Sequence, residues 1–295
     1  MTVDLAAAAD FLASSARVLD RRRFDLLFGD GDAGAVLAAV DGYRNPDGGY
    51  GWGLEPDLRS RTSQPGGALH AFEAFADLVP RVAPRAVELC DWLDAVTLPD
   101  GGLPFARPVP DKAASAPFWA DADSGTSSLQ ITAIVAAAAH RVAVADPGVS
   151  GHPWLTRATG YCLRAVRDLD EPHAMVLAFA AQFLDAAAAL TSEAGGLVDA
   201  LRRHVPENGL LHVAGGAEDE YMRPLDFAPL PGGPARSLFA DGVVEAELER
   251  LASGQQPDGG WRVDFGSFSP AAAMEWRGHA TVQALILLRA NGVLA

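Results

Sequence analysis

Three short stretches of this chain carry the residue types that acid–base chemistry needs. The stretch Trp119-Ala120-Asp121-Ala122-Asp123-Ser124-Gly125-Thr126-Ser127 sets two carboxyl groups beside an indole, with hydroxyls close behind. In such a pair one acid can keep its proton beside an ionised neighbour and act as a proton donor. The same Asp/Ser/Thr content also suits the N-cap of a helix. The stretch Trp52-Gly53-Leu54-Glu55-Pro56-Asp57-Leu58-Arg59 offers Glu55 and Asp57 as acid, base or metal ligand. Gly53 and Pro56 restrict its backbone as a positioned loop requires, and a solvated loop with an ion pair to Arg59 is the plainer alternative. The third stretch is Glu275-Trp276-Arg277-Gly278-His279, where His279 could serve as base or orient an acid and Arg277 could grip an anion. Helix capping with ordinary ion pairing would use the same residues. Aromatic rings fall nearby in loops or at helix starts, among them Trp52, Phe105, Trp119, Tyr221 and Trp276. Their faces can hold a developing positive charge. The run Glu218-Asp219-Glu220 reads as a solvated acidic loop.

Other chemistries have no foothold. The sequence contains no Asp-Asp-x-x-Asp stretch, Walker loop, dinucleotide fingerprint, Gly-x-Ser-x-Gly elbow or His-Glu-x-x-His helix. No spaced Asp/Cys/His set suggests a protein-held metal, so no cofactor is expected, with Mg²⁺ entering only alongside a diphosphate substrate. The net charge of −15 repels phosphate backbones and anionic lipid headgroups, which argues against nucleic-acid and membrane-surface partners. Cys90 and Cys162 lie far apart in apolar helical patterns and read as core residues of a reducing, cytoplasmic compartment. No apolar run reaches the ~18 residues of a membrane span, and the apolar start lacks a basic leader.

The elements that must position these residues are helices. Alanine is abundant and β-branched clusters are few. Apolar periodicity predicts helices over 2–27, 32–43, 65–79, 84–96, 126–144, 153–168, 172–190, 194–204, 236–253 and 279–291. The helix at 126–144 is apolar nearly all round and should be buried on every side. Between the helices one phrase recurs. Asn45-Pro46-Asp47-Gly48-Gly49-Tyr50-Gly51-Trp52 precedes Thr62-Ser63-Gln64, and Pro99-Asp100-Gly101-Gly102-Leu103 precedes Thr126-Ser127-Ser128-Leu129-Gln130. Gln255-Gln256-Pro257-Asp258-Gly259-Gly260-Trp261 precedes His279-Ala280-Thr281-Val282-Gln283, and Glu207-Asn208-Gly209-Leu210 is a degenerate copy. Asp47 and Asp100 lie 53 residues apart, and Asn208 and Asp258 lie 50 apart. The 108 residues between Asp100 and Asn208 leave room for one eroded copy near His152-Pro153-Trp154. A period of roughly 50 residues holding two helices fits stacked helical hairpins that bury a core only when joined.

The copy at Gln255–Trp261 resembles the QW-type repeat of the terpenoid cyclase and protein prenyltransferase superfamily, and the earlier turns resemble it more weakly. The resemblance implies an all-α fold, an α/α toroid of about six helical hairpins around a central cavity, formed by residues 1–295 as a single domain. It implies that the glycine turns gather at one end with the N-termini of the inner helices. It also implies that the aromatic residue after Gly-Gly, Trp261 here, packs between helix layers. The stretch at Asp121–Thr126 resembles the Asp-x-Asp-Asp-Thr general-acid motif of class II terpene cyclases. Asp121 and Asp123 match its first two acids, Ser124 replaces the third, and Gly125 is inserted before Thr126. By that resemblance Asp123 delivers the proton, Asp121 or Glu55 assists, and the aromatic residues guide a carbocation in a small apolar, isoprenoid-like substrate. Asp57 and His279 are further catalytic candidates, and Trp52, Arg59, Phe105, Trp119, Tyr221, Trp276 and Arg277 are candidates for substrate binding. Two other uses of a toroid fit the same residues. One is glycan cleavage by paired acids with tryptophan platforms, and the other is non-catalytic binding of a lipid or peptide. Chemistry is expected in the divergent insertions at 53–61, 104–125 and 262–278.

Overall fold

The computed structural model describes residues 3–294, and among them it holds fourteen α-helices and a single pair of two-residue strands. The all-α class expected from composition is what the chain adopts. The described residues form two compact units. One comprises Ala33–Asp170 with Ala189–Thr191, and the other comprises the residues up to Asp32, Glu171–Ala188 and those from Ser192 on.

The first of these, the middle unit, contains α3 (Ala33–Asp41), α4 (Pro65–Ala76), α5 (Ala86–Val96), α6 (Pro117–Ala120), α7 (Leu129–Ala143), α8 (Pro147–Ser150) and α9 (Pro153–Arg167). Helix α7 packs against both α4 and α9. Its alanine-rich centre, Ala136–Ala139, is wholly buried and lets those neighbours approach closely, as its apolar sequence predicts. Larger side chains fill the space around it. Phe72 stacks on Trp154 and meets Phe75 edge-on, and Tyr50 meets Phe75 in the same way. Cys90 and Cys162 are free and buried in this unit, and burial pushes both thiols up.

The second, the end unit, contains α1 (Leu5–Ser15), α2 (Val18–Phe28), α10 (Ala174–Ala187), α11 (Ala194–Leu201), α12 (Pro224–Phe227), α13 (Asp241–Ser253) and α14 (Pro270–Ala290). Strands β1 (Leu211–His212) and β2 (Tyr221–Met222) pair antiparallel in its long loop. Its core joins Phe11 and Leu12 of α1, Phe24 of α2, Trp261, and Val282, Leu285 and Leu288 of α14.

The repeated phrase folds the same way each time. Gly48, Gly101 and Gly259 donate N–H to Asn45, Leu98 and Gln256 at 3.1, 2.9 and 2.8 Å, closing a four-residue turn with Pro in its second position. The same three glycines take φ of 91°, 95° and 91°, where side chains are disfavoured. Asp47, Asp100 and Asp258 each accept the N–H of the second glycine, at 3.0, 3.1 and 3.2 Å. That second glycine has no room for a Cβ, which would strike Ser63 and Trp92, Ser127 and Tyr161, or Phe11. The Asp-Gly-Gly phrase is therefore a packing device, and its acid is consumed by the turn. The degenerate copy keeps the Asn208-to-Leu210 bond and φ of 71° at Gly209.

Several boundaries differ from the periodicity, and helix α13 begins at Asp241 instead of 236. The segment predicted as one helix over 2–27 is two, because Ala16 and Arg17 turn extended. The break lets the Arg17 guanidinium close on Asp20, which is fully buried in the first turn of α2. Helix α14 begins nine residues before 279, since Ser269 caps Ala272 N–H and Pro270 takes the first helical position. The stretch 275–279 accordingly lies within that helix instead of at its mouth. No glycine-type turn occurs at His152, whose ring instead caps α9 by accepting Trp154 N–H. The irregular left-handed residue before α10 is Glu171, with φ of 44°.

Candidate functional site

The middle unit draws two acids out of water. Leu54 N–H bonds Gly51 O, Trp52 N–H bonds Ser60 O, and Leu58 N–H bonds Glu55 O across a turn with Pro56 at its second position. Leu54 and Leu58 are fully buried, so the loop is pulled inward and carries Glu55 and Asp57 with it, leaving them 6% and 5% exposed. A buried carboxylate must be hydrogen-bonded to be tolerated. Glu55 Oε1 accepts Asp57 N–H at 3.1 Å, and Glu55 Oε2 lies 3.0 Å from His70 Nε2. His70 Nδ1 in turn lies 2.8 Å from Glu73 Oε2, one helical turn along α4. Burial is the largest single influence on His70 and works against its charged form. The Glu73 charge and the hydrogen bonds to both glutamates outweigh it together and lift the imidazole from 6.5 to about 9. At neutral pH the ring is thus an imidazolium donating to two carboxylates.

An aromatic stack borders this chain of bonds. Leu58 bridges to Ser115, and Ala116 N–H bonds Asp57 O at 2.8 Å, which brings α6 and its Trp119 alongside the loop. Trp119 stacks on Phe105 with centroids 4.2 Å apart and planes within 10°. Glu55 and Trp119 meet at Gly66 of α4, where an added Cβ would lie 3.3 Å from Glu55 Cγ and 3.4 Å from Trp119 Cη2. Glu55, Asp57, Phe105 and Trp119, all expected from the sequence, converge here. His70 and Glu73 were not expected. Their sequence signal was a His with an acid three residues on, set among the apolar positions Leu69, Phe72 and Phe75 of one helix.

The remaining candidates lie elsewhere. Asp121 is exposed and its Oδ1 takes the Lys112 ammonium at 2.6 Å. Asp123 is exposed as well. It accepts Thr126 Oγ1–H at 2.6 Å and Gly125 N–H at 2.9 Å, the Thr126 bond first among the causes that hold its carboxyl below the usual range. Trp52 is half exposed, with its indole N–H on Asn45 Oδ1, and the Arg59 side chain lies against Gly53. In the end unit Arg277 grips Asp258 with its Nη2 2.9 Å from each carboxylate oxygen. Its Nε donates to Trp261 O, and its guanidinium covers the Phe11 ring at 4.6 Å. That set of contacts staples the third glycine turn to α14. Trp276 meets His279 and Phe265 edge-on at 5.5 and 5.2 Å, and Tyr221 meets His212 at 5.4 Å. Trp261 is buried in the core cluster, its indole N–H on Leu251 O at 2.7 Å and its backbone N–H on Thr281 Oγ1 at 2.9 Å. Glu220 is buried and folds back onto Ala217 N–H at 3.0 Å, whereas Glu218 and Asp219 are exposed. Among the described residues no helix is long and apolar enough to cross a membrane. Comparison with known proteins finds no family model and no curated protein that matches this chain.

Proposed function

We propose that the chain is a small terpene-cyclase-like enzyme, folded as an α/α toroid, that cyclises or isomerises an apolar, isoprenoid-like substrate after protonating it. The observation that carries this reading is the buried Glu55–His70–Glu73 chain of hydrogen bonds beside the Phe105–Trp119 stack. An imidazolium between two carboxylates, with the buried Asp57 in the same loop, leaves net negative charge out of water next to aromatic faces. Both features favour positive charge that develops on a substrate.

We give the donor's role to Glu55. A proton passes from His70 Nε2 to Glu55 Oε2 and from Glu55 to the substrate, and the cation so formed is held by the aromatic faces and the residual negative charge. At the end Glu55 takes a proton back from the product cation and returns it to His70, so the reaction neither consumes nor releases protons. An acid that holds its proton up to about 9 is weak, which favours an epoxide or an electron-rich alkene over an isolated double bond. Asp123 suits the task less, because its hydrogen bonds stabilise the carboxylate whereas a donor at neutral pH needs the opposite.

The test is incubation with geranyl, farnesyl and geranylgeranyl diphosphates, squalene and 2,3-epoxysqualene, with products followed by mass spectrometry. Glu55→Gln should lower turnover by at least ~100-fold, the scale of a lost general acid, while Asp123→Asn leaves it nearly unchanged. The reverse pattern returns the donor's role to Asp123. Consumption of none of these substrates removes the cyclase reading.

A further inference from the structure

The cleft beside the first glycine turn has features that the turn's packing task does not use. Its volume is about 540 Å³, and Asn45, Trp52, Arg61 and Arg107 are among the residues that line it. Trp52 has φ of 57°, a backbone state that a bulky side chain avoids, and 51% of it faces solvent. Asn45 holds it in place. Its Oδ1 accepts the indole N–H at 2.8 Å, and its Nδ2 donates to Arg61 O at 2.9 Å and to Ser63 Oγ at 3.0 Å. The Arg61 guanidinium lies 5.8 Å from the centroid of the Trp52 ring.

Two cations are left over here in a chain of net charge −15. Neither the Arg61 nor the Arg107 guanidinium has a hydrogen-bond or ion-pair partner among the described residues. The neighbouring acid does not serve them. Asp47 Oδ1 accepts Gly49 N–H and Ser63 Oγ–H at 3.0 and 2.7 Å, and its Oδ2 accepts the Trp92 indole N–H at 3.2 Å. The other two copies of the turn show what the packing task alone requires. Leu98 and Gln256 stand where Asn45 does, and Phe105, stacked inward on Trp119, and Val263 stand where Trp52 does. The exposed, strained indole and the asparagine that fixes it belong to the first copy alone.

We infer that this cleft binds a small ring compound bearing a carboxylate or phosphate, with the anion taken by Arg61 and Arg107 and the ring laid on Trp52. Planar guanidinium groups that no acceptor or carboxylate among the described residues engages match either anion, and an indole held open to solvent offers a face to a sugar or aromatic ring. The site uses none of Glu55, His70, Phe105 or Trp119, so it stands or falls separately from the catalytic reading.

The experiment titrates the full chain with phenyl phosphate, benzoate, glucose 6-phosphate and glucuronate, with phenol, glucose and inorganic phosphate as comparison arms. The Trp52 indole N–H resonance, assigned with Trp52→Phe, reports on the cleft. At least one ring-borne anion should shift it with millimolar affinity or better, and the four probes separate phosphate from carboxylate and sugar from aromatic ring. Arg61→Gln combined with Arg107→Gln should weaken that binding by about tenfold or more, and Trp52→Ala, followed by isothermal titration calorimetry because it lacks the reporter, should weaken the ring-borne anion more than inorganic phosphate. Arg61 is exposed and Arg107 half-buried, and neither guanidinium holds a hydrogen bond or ion pair among the described residues, so the double variant tests binding on a folded chain. The inference is overturned if no ring-borne anion shifts the resonance, if the double variant binds as tightly as the parent, or if inorganic phosphate binds as well as phenyl phosphate.

Discussion

Segments 51–60 and 121–126 of the middle unit carry the same residue types, two carboxyl groups each close to a tryptophan, and differ in what is interleaved with them. In the first, Leu54 and Leu58 bracket Glu55 and Asp57, and both leucines are buried. Burying a leucine side chain contributes about 1.5–3 kcal/mol, enough to draw adjacent carboxylates inward once each finds donors. In the second, Ala122 separates the acids, Ser124 and Gly125 follow them, and none offers such an anchor. Asp121 stays in water against Lys112, with 68% of its side chain exposed. The acids alone do not say which pair leaves the solvent, and their apolar neighbours do.

The sharpest way to break this comparison is to remove the cation of each region. His70→Leu leaves Glu55 and Glu73 without the donor they share, a buried-charge defect of about 3–5 kcal/mol in unfolding free energy. Lys112→Ala removes an exposed partner of Asp121 and should cost less than about 1 kcal/mol. Urea unfolding monitored by circular dichroism measures both, and equal costs would mean that the two regions do not differ in environment.

Acidity provides the second test, through two histidines of the same unit. His70 is raised to about 9 by its glutamates, which together overcome its burial, and His140, beside Thr159, is lowered to about 4 by burial. Between 6.5 and 9 the folded state binds more protons than the unfolded chain at His70. That contribution, about 3 kcal/mol from the difference in pKa, is complete below 6.5 and lost as the pH rises through 9. At His140 the folded state binds fewer protons, so its contribution is complete above 6.5 and lost as the pH falls through 4. Stability should therefore peak near pH 6.5, where neither penalty applies. The alkaline fall should flatten in His70→Leu and persist in a His140→Gln variant, which denaturant midpoints across pH would record.

A third substitution acts at the contact between acid and ring. At Gly66 a methyl group would sit against Glu55 Cγ and Trp119 Cη2 at distances small shifts can absorb. Gly66→Ala should accordingly be near neutral, the tight contact offset by better helix propensity. Gly66→Val forces further methyl groups into the same place and should cost about 1–3 kcal/mol. Thermal unfolding of the pair measures the difference, and an equally tolerated valine would show that Glu55 and Trp119 do not pack there.

What the sequence let one read follows from how local each cause is. The glycine turns were legible because a left-handed residue, a proline and a capping acid must occur in fixed order over a few positions, and all three copies fold alike. Helix α7 was legible because alanines on every side require neighbours on every side. The break at Ala16–Arg17 was hidden because the Arg17–Asp20 pair that it permits is a contact propensity does not register. The early start of α14 was signalled by Ser269-Pro270, a cap and a first-turn proline that the apolar period alone passes over. At the site Glu55 and Asp57 stood out, whereas His70 looked like one polar position in an apolar helix. Its meaning depends on Glu55, fifteen residues away, folding over it.

A small effect probes segment 121–126 most directly. Asp123 closes a local turn by accepting Gly125 N–H and Thr126 Oγ1–H, and its carboxyl sits below the usual range because both bonds favour the charged form. Asp123→Ala removes two solvent-exposed hydrogen bonds in a loop without large buried side chains. The loss should be small, no more than that of a surface cap. Asp123→Asn keeps an acceptor for Thr126 and should fall between parent and alanine. Glu55→Ala, by contrast, strips His70 of one partner and opens a void beside Trp119, so its cost in the same assay should be several times larger. If Asp123→Ala proves the more damaging of the two, the turn at 123–126 supports more of the unit than its exposure implies, and the contrast between the two acidic segments must be redrawn.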